Sequence, residues 1–573
     1  MNDLNQATSY FDIQPIILIK FILILFLVIG LILIFKKGKP WIFLLITGLL
    51  SALSYAVLIN DSELMFGGLL GDEVTIAAMY NTFAHQGMLS DFGYSSLPPF
   101  YPPLFFWIFS FVGRIFDWNG VLIAKFASFI SILIFPIVTY AIQRLYWRTN
   151  KELNRSPGII AAFLAPLLIF VLIEPTSVFG KPYELIAAMA TIFWAVFLLI
   201  ETARQQWNWK KVFIFGLTGG IIFLIYYLWI IFAAIAILLA GMWVEKRFQW
   251  RFYKRLMQIA LVCGVVGLPY LGPLVTSFLI HGAENWQAAL FTLKGLTWQM
   301  PMFITISWQN ILLLGGLVTL IIYRNHVYVR PLLFLFISAY IWWFMGLVTL
   351  YFFQVPIQEF KGFFFYSHTI IAIALAFGIE QLWHSASSKY IHQQWQTPVM
   401  LIALLFLSTN LIFGSYIDDP IVQQQVIKKP AVREEIVPLI QYLENDPNSS
   451  EKLTLQSGIV ELSVFATINN FIYFNQHNNH PAAGFSLRRS YVKMLSRARN
   501  AEEFYALSQN TPYGKVERLI FFHEQNKYYV FLHLDEPMIG IKEEVIEIPD
   551  YLITGKYFKK VYDKAGFVIW ERI

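Results

Sequence analysis

Asp72 and Glu73 follow Gly71 at the exit of a long apolar segment, where two adjacent carboxylates are costly unless they face water or a ligand. Such a pair can act as a general base, hold a divalent cation or anchor sugar hydroxyls, and it can equally cap the end of a helix. Base chemistry suits a hydroxyl that must lose its proton as it attacks an electrophilic carbon. His85 and Asp91 lie further along the same stretch, residues 71–107, which reads as a polar loop between apolar segments. Their spacing of six is no metal signature, and no HExxH, CxxC or aspartate-rich loop accompanies them, so no tightly held structural metal is expected. Residues 95–103 read SSLPPFYPP. The four prolines fix φ and restrict the residues before them, which disfavours helix and predicts a rigid, aromatic-lined wall containing Tyr101. Trp107 and Trp118 read instead as part of an interfacial aromatic belt.

The elements that position these groups are apolar helices. Of 573 residues, 57% are hydrophobic and only 14% charged, the balance of a polytopic membrane protein. The formal net charge of +6 is spread over short Lys/Arg tracts between apolar runs, which act as orientation signals, so nucleic acid is not an expected partner. Cys263 is the single cysteine, inside an apolar run, and no disulfide framework supports any exported part.

Residues 16–35 are too long for a signal-peptide core and read as a true transmembrane helix. Lys36, Lys37 and Lys39 after it mark the cytoplasmic side, so residues 41–59 cross outward and deliver Asp61, Glu63, Asp72 and Glu73 to the extracytoplasmic face. Parity makes residues 104–116 an interfacial helix and residues 121–142 the next span, with Arg144, Arg148, Lys151 and Arg155 inside. Residues 159–173 and 185–203 flank a second outer turn, 174–184, which carries Lys181. Residues 212–244 divide into two short helices near Tyr226. Spans at 256–280, 302–323, 331–353, 363–383 and 398–416 bring the total to about twelve and place residues 281–301 and 354–362 outside. Lys361 and Glu359 are on the latter turn, where they could pair, and His368 follows at a helix start.

After residue 417 the composition becomes that of a soluble domain. A helical pattern at 432–443 precedes strand-like runs at 452–456, 470–474, 518–522, 528–534 and 567–571, with helical patterns at 487–498 and 501–509. The expected architecture is a transmembrane domain over residues 1–417, with its first outer loop at 60–120, and a small extracytoplasmic α/β domain over 418–573.

Gly71-Asp72, then Asp91 and Tyr94, then LPPFYPP and Phe106-Trp107 resemble the N-terminal domain of the galactan arabinofuranosyltransferases, which are GT-C membrane glycosyltransferases. Asn478-Asn479-His480-Pro481 with Phe485 and Arg488 is similar to a pattern in that family's C-terminal domain, and residues 567–572 resemble its closing strand. The resemblance implies a GT-C-like fold in the cell membrane, a polyprenyl-phosphate sugar as donor, a cell-surface polysaccharide as acceptor, and an inverting transfer of arabinofuranose. It implies that Asp72 is the catalytic base supported by Glu73, and that Lys181, Lys361 and His368 hold the donor phosphate. His85, Asp91, Tyr94, Tyr101, Glu359, His480 and Arg488 would then contact substrate, Arg488 also being placed to reach the phosphate. No cofactor is required under this reading, although a divalent cation could sit at Asp72 and Glu73. Each of these residues has a plainer alternative, since the lysines can snorkel to the interface and His368 can simply pack.

Two other classes compete. A transporter or flippase of lipid-linked sugars needs acids and broken helices near the bilayer midplane, whereas these acids collect at one face. A membrane-anchored glycan-binding protein would not need a carboxylate-lined loop. The glycosyltransferase reading predicts that Asp72, Glu73, Lys181, Lys361 and Tyr101 converge on one outward cavity that opens laterally to lipid.

Overall fold

A backbone in hydrocarbon must satisfy its own amides, and the apolar runs of this chain accordingly form helices. The computed structural model describes residues 10–37, 40–60, 62–65, 68–69, 71–149, 158–173, 180–203, 208–244, 250–284, 300–389, 430–446, 448–536 and 540–573. The first part contains α1 (Tyr10–Lys37), α2 (Pro40–Leu58), α3 (Asp72–His85), α4 (Leu104–Phe116), α5 (Gly120–Thr149) and α6 (Ile159–Leu172). It continues with α7 (Pro182–Ala203), α8 (Trp209–Ile225), α9 (Tyr227–Val244), α10 (Trp250–His281), α11 (Trp308–Ile322), α12 (Val329–Phe353) and α13 (Phe365–Lys389). Among the described residues six helices are long and apolar enough to cross a membrane, and five shorter apolar helices accompany them. The span expected at 398–416 lies outside the described residues, as do Asp61 and residues 174–179.

Residues 212–244 do divide at Tyr226, whose extended backbone (φ −162°, ψ 103°) separates α8 from α9. The polar loop expected at residues 71–107 is different. Its first half is α3, and Val74 through Ala84 are all buried. This helix shows no polar face in the sequence because α4, α5 and the C-terminal domain cover it on every side. Backbones meet directly there, since a Cβ on Gly120 would lie 1.9 Å from the Ala77 carbonyl oxygen. Arg114 of α4 donates to the Ala84 and Phe83 carbonyls, the orphaned acceptors at the end of α3. The other face of α4 exposes Ile108, Phe111, Ile115 and Phe116, an amphipathic division suited to an interfacial helix.

The C-terminal domain is a mixed sheet between two helical layers. β1 (Leu453–Gln456) runs parallel to β2 (Asn469–Asn470) and to β3 (Arg518–Glu524). β4 (Lys527–Glu536), β5 (Gly540–Pro549), β6 (Phe558–Lys564) and β7 (Phe567–Arg572) add antiparallel pairs β3–β4, β4–β5, β3–β7 and β6–β7. Alternate residues of β4 are buried, as a strand covered on one face requires. One layer, α14 (Val437–Glu444) and α15 (Val460–Phe465), packs Leu439, Leu443 and Leu462 on Ile520 and Ile569. The opposite layer, α16 (Phe485–Ser496) and α17 (Ala501–Gln509), sets Val492, Leu495 and Phe504 against Leu519, Phe521 and Val530. The run expected as a strand at 470–474 is regular strand only at Asn469–Asn470, and α15, β5 and β6 had no sequence-based counterpart.

This domain is seated on the bundle. Val464, Tyr473, Phe474 and Ala483 belong to the same apolar cluster as α3 and α5. Polar bonds fix the orientation: Asn470 N–H donates to Gly93 O at 3.1 Å, Val432 N–H to Glu63 at 2.9 Å and Ser486 N–H to Glu284 at 3.1 Å.

Candidate active site

Gly71 has φ 54° and ψ −126°, a conformation that a side chain opposes, and it turns the chain so that Asp72 is the first residue of α3. The positive end of that helix favours the carboxylate. Across from it, Lys181 immediately precedes Pro182 at the start of α7, and its Nζ forms an ion pair with Asp72. One turn on, Glu184 pairs with Lys361 Nζ at 3.0 Å. Lys361 comes from a short 3-10 turn, Glu359–Phe363, that follows Gln358 in the left-handed region. The two pairs differ in wetness: the Asp72 side chain is 39% exposed, that of Glu184 2%.

Both pairs line one cavity of about 140 Å³, together with Thr75, Ile76, Met79, Tyr101, Tyr183, Tyr226, Gln358, Phe360 and His477. The break between α8 and α9 is thus what brings Tyr226 to the site. The Lys181 charge holds the Asp72 carboxyl well below the usual carboxylate range, outweighing the effect of burial. Burial disfavours the Lys181 ammonium, but Asp72, Glu184 and Glu73 overcome it and hold that ammonium above the ordinary lysine range. Burial likewise works against a charged His477, and the hydrogen bond and charge of Asp535 more than compensate, raising its pKa.

A second cleft of about 290 Å³ opens at the seam between the two parts. Tyr94 and Ser96 form one wall, and Glu451, Asn469, Arg488, Tyr513, Lys515 and Glu517 form the other.

Of the residues singled out in the sequence, Asp72, Tyr101, Lys181 and Lys361 therefore share the cavity, and Tyr94 and Arg488 share the seam cleft. Glu73 is not a lining residue; its carboxylate is beside Gly180, next to Lys181. The remaining five are elsewhere. His85 is at the far end of α3 from Asp72, about 20 Å away at 1.5 Å per residue, with Nε2 3.0 Å from Trp118 O. Asp91 is a turn residue whose Oδ1 accepts from Gly93 N–H at 2.9 Å and Tyr94 N–H at 3.2 Å, and burial pushes its carboxyl up to about 7. Glu359 is fully buried against Gly346 and points away from the cavity that its neighbours Gln358 and Phe360 line. His368 is buried within α13, its Nδ1 3.0 Å from Phe364 O. His480 is also buried, and its Nδ1 accepts from Ala482 N–H at 3.0 Å, capping a 3-10 turn.

Arg488 is committed as well, donating to Ala483 O at 2.6 Å and Phe471 O at 2.5 Å, with its guanidinium 3.7 Å from the centre of the Tyr513 ring. It lines the cleft and is not among the residues that line the cavity with the lysines. Sequence reasoning passed over His477, although it directly precedes the singled-out Asn478-Asn479-His480. Its meaning comes from Asp535, which is distant in sequence. Among the described residues no three His, Cys, Asp or Glu side chains gather as a metal-binding group.

Several solved membrane enzymes are similar in overall shape. ArnT from Cupriavidus metallidurans, bound to undecaprenyl phosphate, matches at 11% identity and a TM-score of 0.47, over 91% of this chain and 96% of that one. The oligosaccharyltransferase of Archaeoglobus fulgidus, tethered to an acceptor peptide, gives 14% and 0.44 over 93% and 80%. The mycobacterial arabinofuranosyltransferase AftD gives 12% and 0.43, over 92% of this chain but only 40% of that one. At such distance none of them assigns a residue here. No curated protein sequence matches the chain. The model of one family does match, over residues 16–402 and hence over more than half of the chain. The chain belongs to the arabinofuranosyltransferase N-terminal family.

Proposed function

We propose that this protein is an inverting glycosyltransferase that moves arabinofuranose from a polyprenyl-phosphate donor to a cell-surface polysaccharide on the extracytoplasmic side of the cell membrane. The observation that carries the reading is the single cavity in which Asp72 faces Lys181 and Glu184 faces Lys361, walled by Tyr101, Tyr183 and Tyr226. An acceptor hydroxyl attacks the anomeric carbon, its proton passes to Asp72, the carbon–oxygen bond to phosphate breaks, and the electron pair leaves with the polyprenyl phosphate. Lys181 and Lys361 supply ammonium groups for the phosphate oxygens.

In the structure as it stands Lys181 makes Asp72 a weak base. A donor phosphate that draws Lys181 away removes this counter-ion and raises the basicity of Asp72, so the base is strengthened when donor is present. The seam cleft, with its mixed polar side chains and the Tyr513 ring, is the surface we assign to the polysaccharide acceptor. Residues 418–573 then serve as an outer domain that guides the acceptor. A divalent cation at Asp72 and Glu73 would compete with Lys181 and is not required by this mechanism.

The test is transfer of radiolabelled sugar from a synthetic polyprenyl-phosphate pentose to oligosaccharide acceptors by wild type and Asp72→Asn. Transfer by wild type and a loss of about 10²–10⁴-fold in the folded variant are expected for a general base. Equal transfer by both removes Asp72 from the mechanism, and absence of transfer by wild type removes the donor class.

A further inference from the structure

The cavity has one wall that does not come from the helical bundle. His477 belongs to the segment joining β2 to α16, and that segment is pinned to β4 before the histidine and to the turn preceding α3 after it. Before it, His533 N–H donates to Phe474 O at 2.7 Å, and Gln476 N–H donates to His533 O at 2.9 Å. The Gln476 side chain accepts from Asp535 N–H at 2.9 Å, and Asn475 Oδ1 accepts from the backbone N–H of His477 at 3.0 Å. After it, the Asn478 amide lies 3.5 Å from Gly71 O, beside the turn that presents Asp72. An ordinary connecting loop does not need this many polar restraints.

The ring is oriented too. Nδ1 is 3.1 Å from one Asp535 oxygen and 3.3 Å from the other, and the Asp535 side chain is 2% exposed. With Nδ1 committed to that carboxylate, Nε2 is the atom through which the imidazole can serve the cavity. The surrounding charges come from every element of the wall: Asp72 on α3, Lys181 and Glu184 at the start of α7, Lys361 on the 3-10 turn and Asp535 on β4, with the Tyr101, Tyr183 and Tyr226 phenols between them. Each lysine has its carboxylate across the cavity itself, so an incoming anion must compete with Asp72 or Glu184 for it. Asp535 holds His477 from the domain side, and the Asp72 charge reaches it from the cavity side.

We infer that His477 is a donor-binding residue, its imidazolium held by Asp535 and donating Nε2–H to a non-bridging phosphate oxygen of the polyprenyl-phosphate sugar. The C-terminal domain thereby supplies part of the donor site as well as the acceptor surface. This rests on the glycosyltransferase reading for the identity of the lipid, though not for the presence of a phosphate site. As the glycosidic bond breaks, the phosphate gains a second negative charge, and a fixed imidazolium stabilises that state more than the bound donor.

The experiment measures affinity of the full chain for undecaprenyl phosphate and for the same lipid carrying a pentose, in wild type, His477→Gln, His477→Arg and Asp535→Asn. Expected is a roughly tenfold loss of affinity in His477→Gln, a smaller loss in Asp535→Asn, and partial recovery in His477→Arg, which restores a cation. The pH profile is read on the sugar-bearing diester, whose phosphate keeps one charge through neutrality. Affinity should fall as pH rises through the raised His477 pKa, and the profile of His477→Gln should be flat over that range.

Wild-type affinity for both lipids in His477→Gln overturns the inference, as does equal weakening in His477→Gln and His477→Arg, which would mark a purely structural role. His477-dependent binding of undecaprenyl phosphate without sugar transfer sustains the site and overturns the glycosyltransferase reading. Transfer by wild type with unaltered binding in His477→Gln does the reverse, and failure of wild type to bind either lipid overturns both.

Discussion

Lys181 and Arg488 are both cations beside the first loop, yet their surroundings give them opposite capacities. Lys181 is ion-paired with the Asp72 carboxylate at the wall of the cavity, where that face of the pair is open to a ligand. Arg488 donates to two backbone carbonyls and stacks against Tyr94 and Tyr513, so any ligand would have to break the seam between bundle and domain to claim it. A basic residue near a site is therefore informative only with its partners: a carboxylate partner leaves it available, and a set of buried carbonyls does not.

The largest effect should separate these two cations by kind. Lys181→Met is expected to lower kcat/KM for sugar transfer about 10²–10³-fold, the cost of losing one preorganised donor to a developing charge, with little change in thermal stability. An unchanged kcat/KM would break the comparison at the cavity. Arg488→Met should do the opposite, costing about 2–3 kcal/mol of stability through unpaired carbonyls and lost ring contacts. The folded fraction should still transfer sugar, and calorimetry beside single-turnover transfer reads both.

Asp91 sharpens the contrast further, because it is an acid of the same loop with a structural role. Its folded pKa, about 7, stands above the unfolded value, so the stability it contributes is complete below about pH 4 and is lost as pH rises through about 7. Asp91→Asn keeps the turn acceptor and removes the charge. It should melt a few degrees above wild type at about pH 8 and lose that advantage toward about pH 5. The smallest effects are expected for His85→Gln, at the far end of α3, and for treatment with a chelator. Each should leave transfer within about twofold of untreated wild type, and a larger loss would bring a second site or a divalent cation into the mechanism.

Much of this division between poised and committed groups was out of reach of the sequence. The helices were legible because a bilayer demands long apolar runs, and the extended break at Tyr226 was legible from the length of residues 212–244. Strands β3, β4 and β7 were legible because they are central and apolar. By contrast β5 pairs only with β4 and carries Lys542, Glu543 and Glu544 on an edge, so its sequence reads as surface. Helix α3 was hidden for the converse reason, since burial on all sides erases the periodicity that marks a half-exposed helix. At the site, Gly71-Asp72 and the two lysines were legible as residue types with costly charges near apolar runs. His477 was not, because its partner Asp535 is on a strand 58 residues away. Glu359 and His368 are kept from the cavity for a third reason: neighbouring positions on a tight turn or helix start point in different directions, and Gln358, Phe360 and Lys361 line the cavity where Glu359 and His368 do not.

The walls of the cavity come from residues 72–101, 181–226, 358–361 and 477. Protein synthesis must therefore pass residue 477, and the segment carrying Tyr473 and Phe474 must dock on α3, before the pocket has all its sides. A nascent bundle already inserted in the membrane has Asp72 and both lysines but an unfinished enclosure. Under the proposed glycosyl transfer, the pocket would close around a lipid-linked sugar only after the segment carrying His477 has docked.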